Sequence, residues 1–290
     1  MRGSRFGLRA WLILAAALGA ALIHVAVVEW SGPMLERVSV SFERLPPAFD
    51  GMTVAVVADV HAGMFRKEAA VRDVVSVVNS ADADLVVLLG DIVHRCREAS
   101  RYLPLLAGIR SREGVWACLG NHEYGVLWYS KHRRPQTVPS VEEWRRMYAD
   151  AGAQLLVNEA RCLTRGASRL WLVGVGDAYS GRDDVAAALD GLGDEECRIV
   201  ITHSPDAVDH PRMAGVDLVL AGHTHGGQVW LPLVGPLYAS CRGGRERAAG
   251  LSHANGTILY VTRGAGEGLP LRIGCPREVT LMTLRRGPRA

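Results

Sequence analysis

Five short segments of the sequence carry carboxylate, amide or imidazole side chains of the kinds that bind metal ions. They are Asp59 with His61, Gly90-Asp91, Gly120-Asn121-His122-Glu123, His203, and Gly222-His223-Thr224-His225. Any one of these residues alone is more often a turn former or a hydrogen-bonded polar side chain than a ligand. Together they need a common explanation, because clustered acidic and imidazole groups are electrostatically poor without a compensating cation. The pattern therefore predicts a metal-dependent site.

Each of these segments directly follows a short apolar run that we predict to be a buried strand. The five runs are residues 53–58, 85–89, 114–119, 199–202 and 217–221. Ligand sites in α/β folds lie at the carboxyl ends of strands. We therefore expect one edge of a sheet to collect all of these polar side chains.

Longer helical stretches alternate with the strands and indicate an α/β organisation. One helix is predicted over residues 67–79, and a second begins at Ser140, whose spacing to Glu143 is that of a capping box. Further strands are predicted at residues 169–175, 258–262 and 279–284. The pattern predicts a single domain over residues 48–290.

Composition places the chain among globular proteins with a large core. Its 290 residues are 49% hydrophobic and 22% charged, which excludes a disordered chain, a fibre and a disulfide-rich miniprotein. The net charge of +3 is spread without a long block of like charges, so no dedicated nucleic-acid binding is expected. The six cysteines contain no C-x-x-C pair. The sequence leaves the disulfides and the oligomeric state open.

The N-terminus has the pattern of a membrane anchor. A basic segment, residues 1–10, precedes an apolar run over residues 11–28 that is long enough to cross a bilayer as a helix. We predict a transmembrane helix over residues 11–30 and a tether over residues 31–47. The alternative, a cleaved secretory signal, lacks an A-x-A cleavage pattern. The arginines before the run predict a cytoplasmic N-terminus and an extracytoplasmic domain.

The ordered set of motifs resembles the calcineurin-like metallophosphoesterases, whose pattern is D-x-H, G-D, G-N-H-D/E, an isolated His, and G-H-x-H. The first two motifs are weak signals alone, whereas the complete set in this order is specific. The resemblance covers about residues 38–285, and residues 222–228, 260–264 and 274–276 are similar to a bacterial branch of membrane-associated or exported phosphoesterases. It implies an α/β (α+β) fold, a four-layer αββα sandwich of two mixed β-sheets flanked by helices, and anchoring in a bacterial inner or cell membrane.

The resemblance also implies two divalent metal ions and a ligand set for each. It assigns Asp59, His61 and His225 to one metal, Asn121, His203 and His223 to the other, and Asp91 as the bridge between them. Oxygen ligands mixed with imidazoles favour Mn²⁺, Fe or Zn²⁺ over a structural zinc, a Mg²⁺-only or a Ca²⁺ site. The implied reaction is hydrolysis of a phosphate ester by a hydroxide that bridges the metals, with His122 as the general acid.

One departure from the family pattern concerns the surroundings of His122. Phosphoprotein phosphatases read G-D-x-x-D, with the second Asp orienting the catalytic histidine, whereas this sequence has His94 at that place. His94 could hydrogen-bond to His122 or face the substrate. Arg95 falls where those enzymes carry a phosphate-binding arginine, with a solvated surface arginine as the equal alternative. His94 and Arg95 are therefore candidate substrate-binding residues.

The incomplete G-D-x-x-D-R element favours a phosphodiesterase over a phosphomonoesterase or phosphoprotein phosphatase. A membrane anchor beside a hydrolytic site suggests a lipid-linked phosphate as substrate, and a UDP-2,3-diacylglucosamine pyrophosphatase of lipid A synthesis is the alternative enzyme. That reaction needs a site on the cytoplasmic face, in conflict with the predicted orientation. A catalytically silent metal-binding scaffold is disfavoured, because all seven ligand positions and His122 are filled.

Overall fold

The apolar runs predicted as strands pair into two six-stranded β-sheets. The computed structural model describes residues 32–288, except residues 66, 128–136, 267 and 269, together with eight positions between residues 11 and 23. In this part of the chain the strands are β1 (Met34–Phe42), β2 (Thr53–Val57), β3 (Leu85–Leu89), β4 (Val115–Cys118), β5 (Ala153–Leu155), β6 (Glu159–Arg165), β7 (Ser168–Gly174), β8 (Arg198–Ile201), β9 (Leu218–Ala221), β10 (Trp230–Leu231), β11 (Gly235–Pro236), β12 (Gly250–Ala254), β13 (Thr257–Val261) and β14 (Glu278–Arg286).

The first sheet has the strand order β1-β14-β2-β3-β4-β5. Strands β2 to β5 run parallel, β14 is antiparallel to β2, and β1 is parallel to β14, so the sheet is mixed. Alternate side chains of β2 point to opposite faces. Val54 and Val56 pack into the core between the two sheets, whereas Ala55 and Val57 pack into the core on the outer face.

The second sheet has the strand order β12-β13-β9-β8-β7-β6. Its four central strands run parallel, and the two edge strands are antiparallel to their neighbours. Leu172, Ile199 and Leu218 of this sheet join the core that Val54 and Val56 of the first sheet also enter. The two sheets therefore pack face to face. Strands β10 and β11 pair separately as a short antiparallel hairpin.

Helices cover the outer face of each sheet. They are α1 (Lys67–Ala81), α2 (Ala99–Tyr102), α3 (Val141–Asp150) and α4 (Val185–Ala188). Helix α1 buries Val71 and Val74, and α3 buries Trp144 against the first sheet. Over the second sheet, α4 packs with 3-10 turns at residues 205–209 and 211–213. The layers are thus helices, sheet, sheet and helices, and the prediction of two mixed sheets is confirmed.

Strand β1 lies inside the segment that the sequence suggested was a tether, residues 31–47. It pairs with β14 along its whole length, from Met34 opposite Glu278 to Phe42 opposite Arg286. Val40 and Phe42 are buried in the core between the sheets. Only Val40 and Phe42 of this edge strand are buried, and Glu36, Arg37, Ser39 and Ser41 interrupt its apolar residues. The sequence pattern therefore did not predict a strand here. The interpretation of residues 34–42 as a tether is therefore wrong.

The predicted transmembrane helix, residues 11–30, lies mostly outside the described residues. The described positions within it are helical and solvent-exposed where their burial is given, apart from Gly19, which is half-buried. Among the residues with described coordinates, no helix is both long and apolar enough to span a bilayer.

Candidate metal centre

Five strand ends from both sheets meet at the site. Asp59 follows β2, Asp91 follows β3 and Asn121 follows β4 in the first sheet, while His203 follows β8 and His223 follows β9 in the second. We expected these side chains along one edge of one sheet. The structure instead places them at the junction of two sheets, which periodicity alone does not distinguish.

One group of predicted ligands consists of Asp59, His61 and His225, whose ligand atoms lie within 4.8 Å of one another. The Nε2 atoms of His61 and His225 are 3.1 Å apart. Asp59 Oδ1 lies 3.9 Å from His61 Nε2 and 3.5 Å from His225 Nε2. All three side chains are buried. This geometry can hold one cation.

The second group surrounds the amide oxygen of Asn121. His203 Nε2 lies 3.1 Å from Asn121 Oδ1, and His223 Nδ1 lies 3.0 Å from the same atom. Asp91 lies between the two groups, with its Oδ2 3.2 Å from His203 Nε2 and 3.7 Å from His61 Nε2. The structure therefore brings all seven predicted ligands together, while their assignment to two metal ions stays a prediction.

The backbone at this site adopts a conformation that side-chain-bearing residues rarely take. Asp59, His61, Asp91, His223 and His225 all have φ between 48° and 69°. Each such residue in the left-handed region costs of the order of 1 kcal/mol relative to a relaxed conformation. Five candidate ligands share this strained conformation. We infer that these turns adopt it because it directs the side chains into the site, and not because it is the backbone conformation of lowest energy.

A glycine permits a close approach here between the loop after β9 and the loop after β2. A Cβ atom at Gly222 would lie 2.6 Å from Asp59 Oδ2 and 2.6 Å from the Cβ atom of Ala58. The amide of His223, the next residue, donates to Asp59 Oδ2 at 2.9 Å. The glycine of the G-H-T-H motif thus lets the loop after β9 reach the carboxylate after β2.

Hydrogen bonds to backbone carbonyls orient two of the histidines. His203 Nδ1 lies 2.7 Å from the carbonyl oxygen of Leu89, and His122 Nδ1 lies 2.8 Å from that of His94. A carbonyl oxygen can only accept, so Nδ1 carries the proton in each ring. Nε2 of each ring then faces the site, and His122 Nε2 lies 3.7 Å from Asp91 Oδ2.

The two candidate substrate-binding residues differ in how they are placed. The His94 ring is buried, 5.0 Å from the His122 ring and 6.0 Å from the His61 ring. Burial, followed by the charges of His122 and Arg95, lowers the pKa of His94 to about 4. Arg95 is half-buried at the start of the 3-10 turn at Cys96–Glu98. The His94 ring thus lies beside His122 and His61, while Arg95 precedes the turn and contributes only its charge to the lowered pKa of His94.

Glu123 was not singled out from the sequence, although it forms part of the G-N-H-E motif. Its buried carboxylate accepts backbone N–H groups from Asp91, Ile92, Val93 and Gly120 at 2.8–3.3 Å. This one side chain therefore ties the loop after β3 to the loop after β4. The G-N-H-E motif could have drawn attention to Glu123. The backbone N–H groups that its carboxylate binds could not be predicted, because three of them belong to a loop about 30 residues earlier in the chain.

Two further residues that the sequence did not reveal border the site. The ring of Tyr179, 44% exposed, lies 4.6 Å from that of His223, in a turn fixed by hydrogen bonds to Asp177. Arg272 is buried and donates to the carbonyls of His225 and Arg263. Neither residue lies in one of the motifs, so no sequence signal identified them.

Burial keeps several of the imidazoles neutral. It lowers the pKa of His61 and of His225 well below the ordinary value, and it lowers the pKa of His223 to about 3. A neutral imidazole has a free lone pair on one ring nitrogen, which is the form that binds a cation. These three histidines are therefore in the protonation state that a ligand needs.

The two aspartates have opposite pKa shifts. Burial raises the pKa of Asp59 to about 7. Burial acts in the same direction on Asp91, but the charges of His122 and His203 outweigh it and hold the pKa of Asp91 well below its usual range. Asp91, which lies between the two ligand groups, is thus the more strongly ionised of the pair.

The residues fit a pair of divalent cations. Asp59 Oδ1 is buried and receives no hydrogen bond from any residue whose position is described. A buried carboxylate oxygen in this state is costly unless a cation compensates it. The donor set of carboxylate, amide and imidazole groups suits borderline cations such as Mn²⁺, Fe or Zn²⁺.

Known proteins with similar sequences carry related names. The chain is 28% identical over 273 residues to phosphodiesterase YaeI of Escherichia coli, covering 93% of this chain and 94% of that protein. It is 28% identical over 245 residues to the uncharacterized metallophosphoesterase YkuE of Bacillus subtilis, covering 83% and 82%. It is 26% identical over 300 residues to UDP-2,3-diacylglucosamine pyrophosphatase LpxG of Chlamydia trachomatis, covering 86% and 89%.

The family assignment rests on the region that holds most of the site. Residues 52–227 match the family described as calcineurin-like phosphoesterase. This range begins just before β2 and ends after His225, so it contains all seven predicted ligands and His122. The chain belongs to the calcineurin-like phosphoesterase family, as the order of its motifs indicated.

Proposed function

We propose that this chain hydrolyses phosphate diesters at a centre of two divalent cations. Membership of the family implies a phosphoester hydrolase. The observation that carries the proposal is the convergence of two carboxylates, an amide and four imidazoles from five strand ends, with one carboxylate oxygen left without a donor among the described residues.

Each residue of the site has a proposed role. Asp59, His61 and His225 would hold one cation and Asn121, His203 and His223 the other, with Asp91 available to both because it lies between the two groups. When bound, such a pair of cations activates water and neutralises charge on phosphate oxygens. In its imidazolium form, His122 donates the Nε2 proton to the departing oxygen, while its Nδ1 proton stays hydrogen-bonded to the His94 carbonyl. The half-exposed Tyr179 ring borders the substrate.

The choice of a diester rests on two observations. The similar protein of Escherichia coli is named a phosphodiesterase. The chain also lacks the second carboxylate of the phosphoprotein phosphatase motif, since His94 stands in its place. A lipid-linked phosphate is the substrate class that we favour, because a similar protein is named UDP-2,3-diacylglucosamine pyrophosphatase. That activity itself is the alternative proposal.

Turnover of two chromogenic substrates tests the proposal. The full chain in detergent, loaded with Mn²⁺, is assayed with bis(p-nitrophenyl) phosphate and with p-nitrophenyl phosphate. We expect metal-dependent hydrolysis that favours the diester and is lost in Asp91→Asn. Glu142→Gln, on the exposed face of α3, is the matched control and retains activity. A preference for the monoester would replace the diesterase proposal with a phosphatase.

We also propose that residues 11–30 anchor the chain in a membrane with its domain on the extracytoplasmic side. The support is the length of the apolar run and the arginines before it. A reporter fused to the C-terminus that is active only after export tests the orientation. An extracytoplasmic reporter would exclude the lipid A alternative, which needs a cytoplasmic site, and a cytoplasmic reporter would exclude the proposed orientation.

A further inference from the structure

A surface hairpin next to the metal centre exposes a cluster of large apolar side chains. Strands β10 and β11 form this hairpin, and the chain that follows it extends the cluster. Leu233 is fully exposed, Tyr238 is 70% exposed and Leu237 is 52% exposed. We use the term apolar tip for Leu231, Leu233, Val234, Leu237 and Tyr238 together with the neighbouring Ile273.

The fold does not explain the leucine at the end of this hairpin. Leu233 has a φ of 64°, inside a turn closed by a hydrogen bond from Val234 N to Leu231 O at 3.2 Å. Glycine or asparagine is relaxed in this left-handed region, whereas a leucine is strained. Its side chain is fully exposed, so it gains no burial within the chain. Such strain without burial points to a role for the side chain outside the fold.

Positive charge lies beside the apolar tip. From Val229 to Arg247 the sequence contains three arginines and one acidic residue, Glu246. Arg245 donates to the carbonyl of Val234, which holds its guanidinium group next to the tip. The side chain of Arg242 is 70% exposed, and its Nε lies 3.9 Å from the carboxylate of Asp206. Apolar side chains flanked by arginines match the interfacial region of a bilayer with anionic headgroups.

The base of the hairpin is attached to the loop that carries His225. Trp230 Nε1 donates to the carbonyl of Gly226, and Val229 pairs with Ile273 in a parallel bridge. The backbone also passes so close that a Cβ atom at Gly227 would meet the carbonyl of Tyr238. Contact of the tip with a surface therefore fixes the metal centre relative to that surface.

We propose that the apolar tip inserts into the surface of an anionic lipid bilayer. A protruding turn with an exposed apex suits insertion between headgroups better than it suits a protein groove, and the arginines supply the attraction to phosphate. This contact is separate from the predicted anchor at residues 11–30. It also does not depend on phosphoesterase activity, because lipid contact can be measured without turnover.

Photolabelling from lipid tests the proposal with the full chain. The protein is reconstituted into vesicles of equal parts phosphatidylcholine and phosphatidylglycerol that contain a diazirine-bearing phosphatidylglycerol, and labelled tryptic peptides are mapped. Peptide resolution separates the hairpin side chains of the tip, all in residues 213–242, from the apolar N-terminal segment, in residues 10–37. We expect labelling at both, and a several-fold lower labelling of the tip in vesicles of phosphatidylcholine alone.

Substitutions locate the contact. Leu233→Asn, which suits the left-handed turn, and Leu237→Ser are each expected to lower labelling of residues 213–242 by about fivefold without changing the melting temperature. Val141→Ser removes a 38% exposed apolar side chain from α3 and leaves labelling unchanged. Labelling confined to residues 10–37 would overturn the proposal. A dimer of the full chain in detergent that Leu233→Asn disrupts, with residues 213–242 left unlabelled by lipid, would overturn it as well, because the tip would then contact a second copy.

Discussion

At His122, a backbone carbonyl takes the place of the carboxylate that the sequence lacks. The family comparison left the orientation of this histidine open, because His94 stands where an aspartate was expected. The structure shows that the carbonyl of His94 accepts the Nδ1 proton of His122 at 2.8 Å. Any residue at position 94 supplies a carbonyl, so the orientation of His122 does not require the His94 side chain.

Removal of the His122 imidazole should lower the rate most for substrates whose leaving oxygen must be protonated as it departs. We expect His122→Ala to lower kcat by about 100-fold for aryl diesters with weakly acidic leaving phenols, and by less for bis(p-nitrophenyl) phosphate, whose product is a good leaving group. Turnover is measured across a series of aryl diesters. His94→Ala is the control, and its dependence on leaving-group acidity should match that of the parent. Equal losses for every leaving group in His122→Ala would contradict a general-acid role.

The raised pKa of Asp59 predicts how stability of the metal-free protein depends on pH. Because burial raises the pKa of Asp59 from 3.8 to about 7, the folded state keeps a proton that the unfolded chain has lost between these values. Stability from this group therefore falls as pH rises through that window. We expect Asp59→Asn to become more stable relative to the parent, by up to about 1 kcal/mol per pH unit between about pH 5 and 7.

Urea unfolding in the presence of a chelator measures this difference. Asp84→Asn is the matched control, because hydrogen bonds from Thr53 and Arg112 outweigh the partial burial of Asp84 and lower its pKa. Its charge state is therefore constant across the window, and its stability difference from the parent should be independent of pH. A flat difference for Asp59→Asn would show that Asp59 is ionised throughout in the metal-free protein.

At the scale of elements, Glu123 joins the ends of two neighbouring strands. Each of its carboxylate oxygens accepts two backbone N–H groups. A glutamine side chain has an NH₂ group in place of one oxygen, so two backbone donors would lose their acceptor. We expect Glu123→Gln to lower the free energy of unfolding by about 3 kcal/mol. Glu143→Gln is the matched control, since the exposed Glu143 carboxylate accepts one backbone N–H in the capping box, and its loss should stay below about 1 kcal/mol.

Urea denaturation of both variants in chelator gives the comparison, and metal content after reconstitution gives a second measure. Glu123→Gln should also bind less metal, because Asp91 is in the loop that Glu123 holds. Equal stability losses in the two variants would mean that the buried carboxylate does not organise the loops.

The sequence predicted the buried elements better than the edges of the sheets. The strand at Leu85–Leu89 and the capping box at Ser140 are where the pattern placed them, because a run of buried apolar residues and a local hydrogen-bond motif are both legible in sequence. Strand β1 was missed because only alternate residues near its end are buried. Its pairing with β14 joins residues more than 200 positions apart, which no local pattern encodes.

At the scale of the whole molecule, the site is divided between the two sheets. The motifs identified the ligand set, because each motif is local and its residue types are specific. They could not show that Asp59, Asp91 and Asn121 belong to one sheet while His203 and His223 belong to the other. The positions of Tyr179 and Arg272 beside the site could not be predicted from the motifs either, since both residues reach it only through the packing of loops.

Cations bound between the ligand loops of the two sheets should stabilise the packing of one sheet on the other. We expect a chelator to lower the melting temperature by about 5–10 °C, because a ligand at 100 to 1,000 times its Kd contributes about 3–4 kcal/mol to stability. Calorimetry with and without chelator measures the shift, and Asp91→Asn should show little of it. Amide exchange should rise in the ligand loops of both sheets, at residues 59–62 and 222–225, while the strand interiors remain protected. Faster exchange in only one sheet would mean that the cations do not bridge the junction.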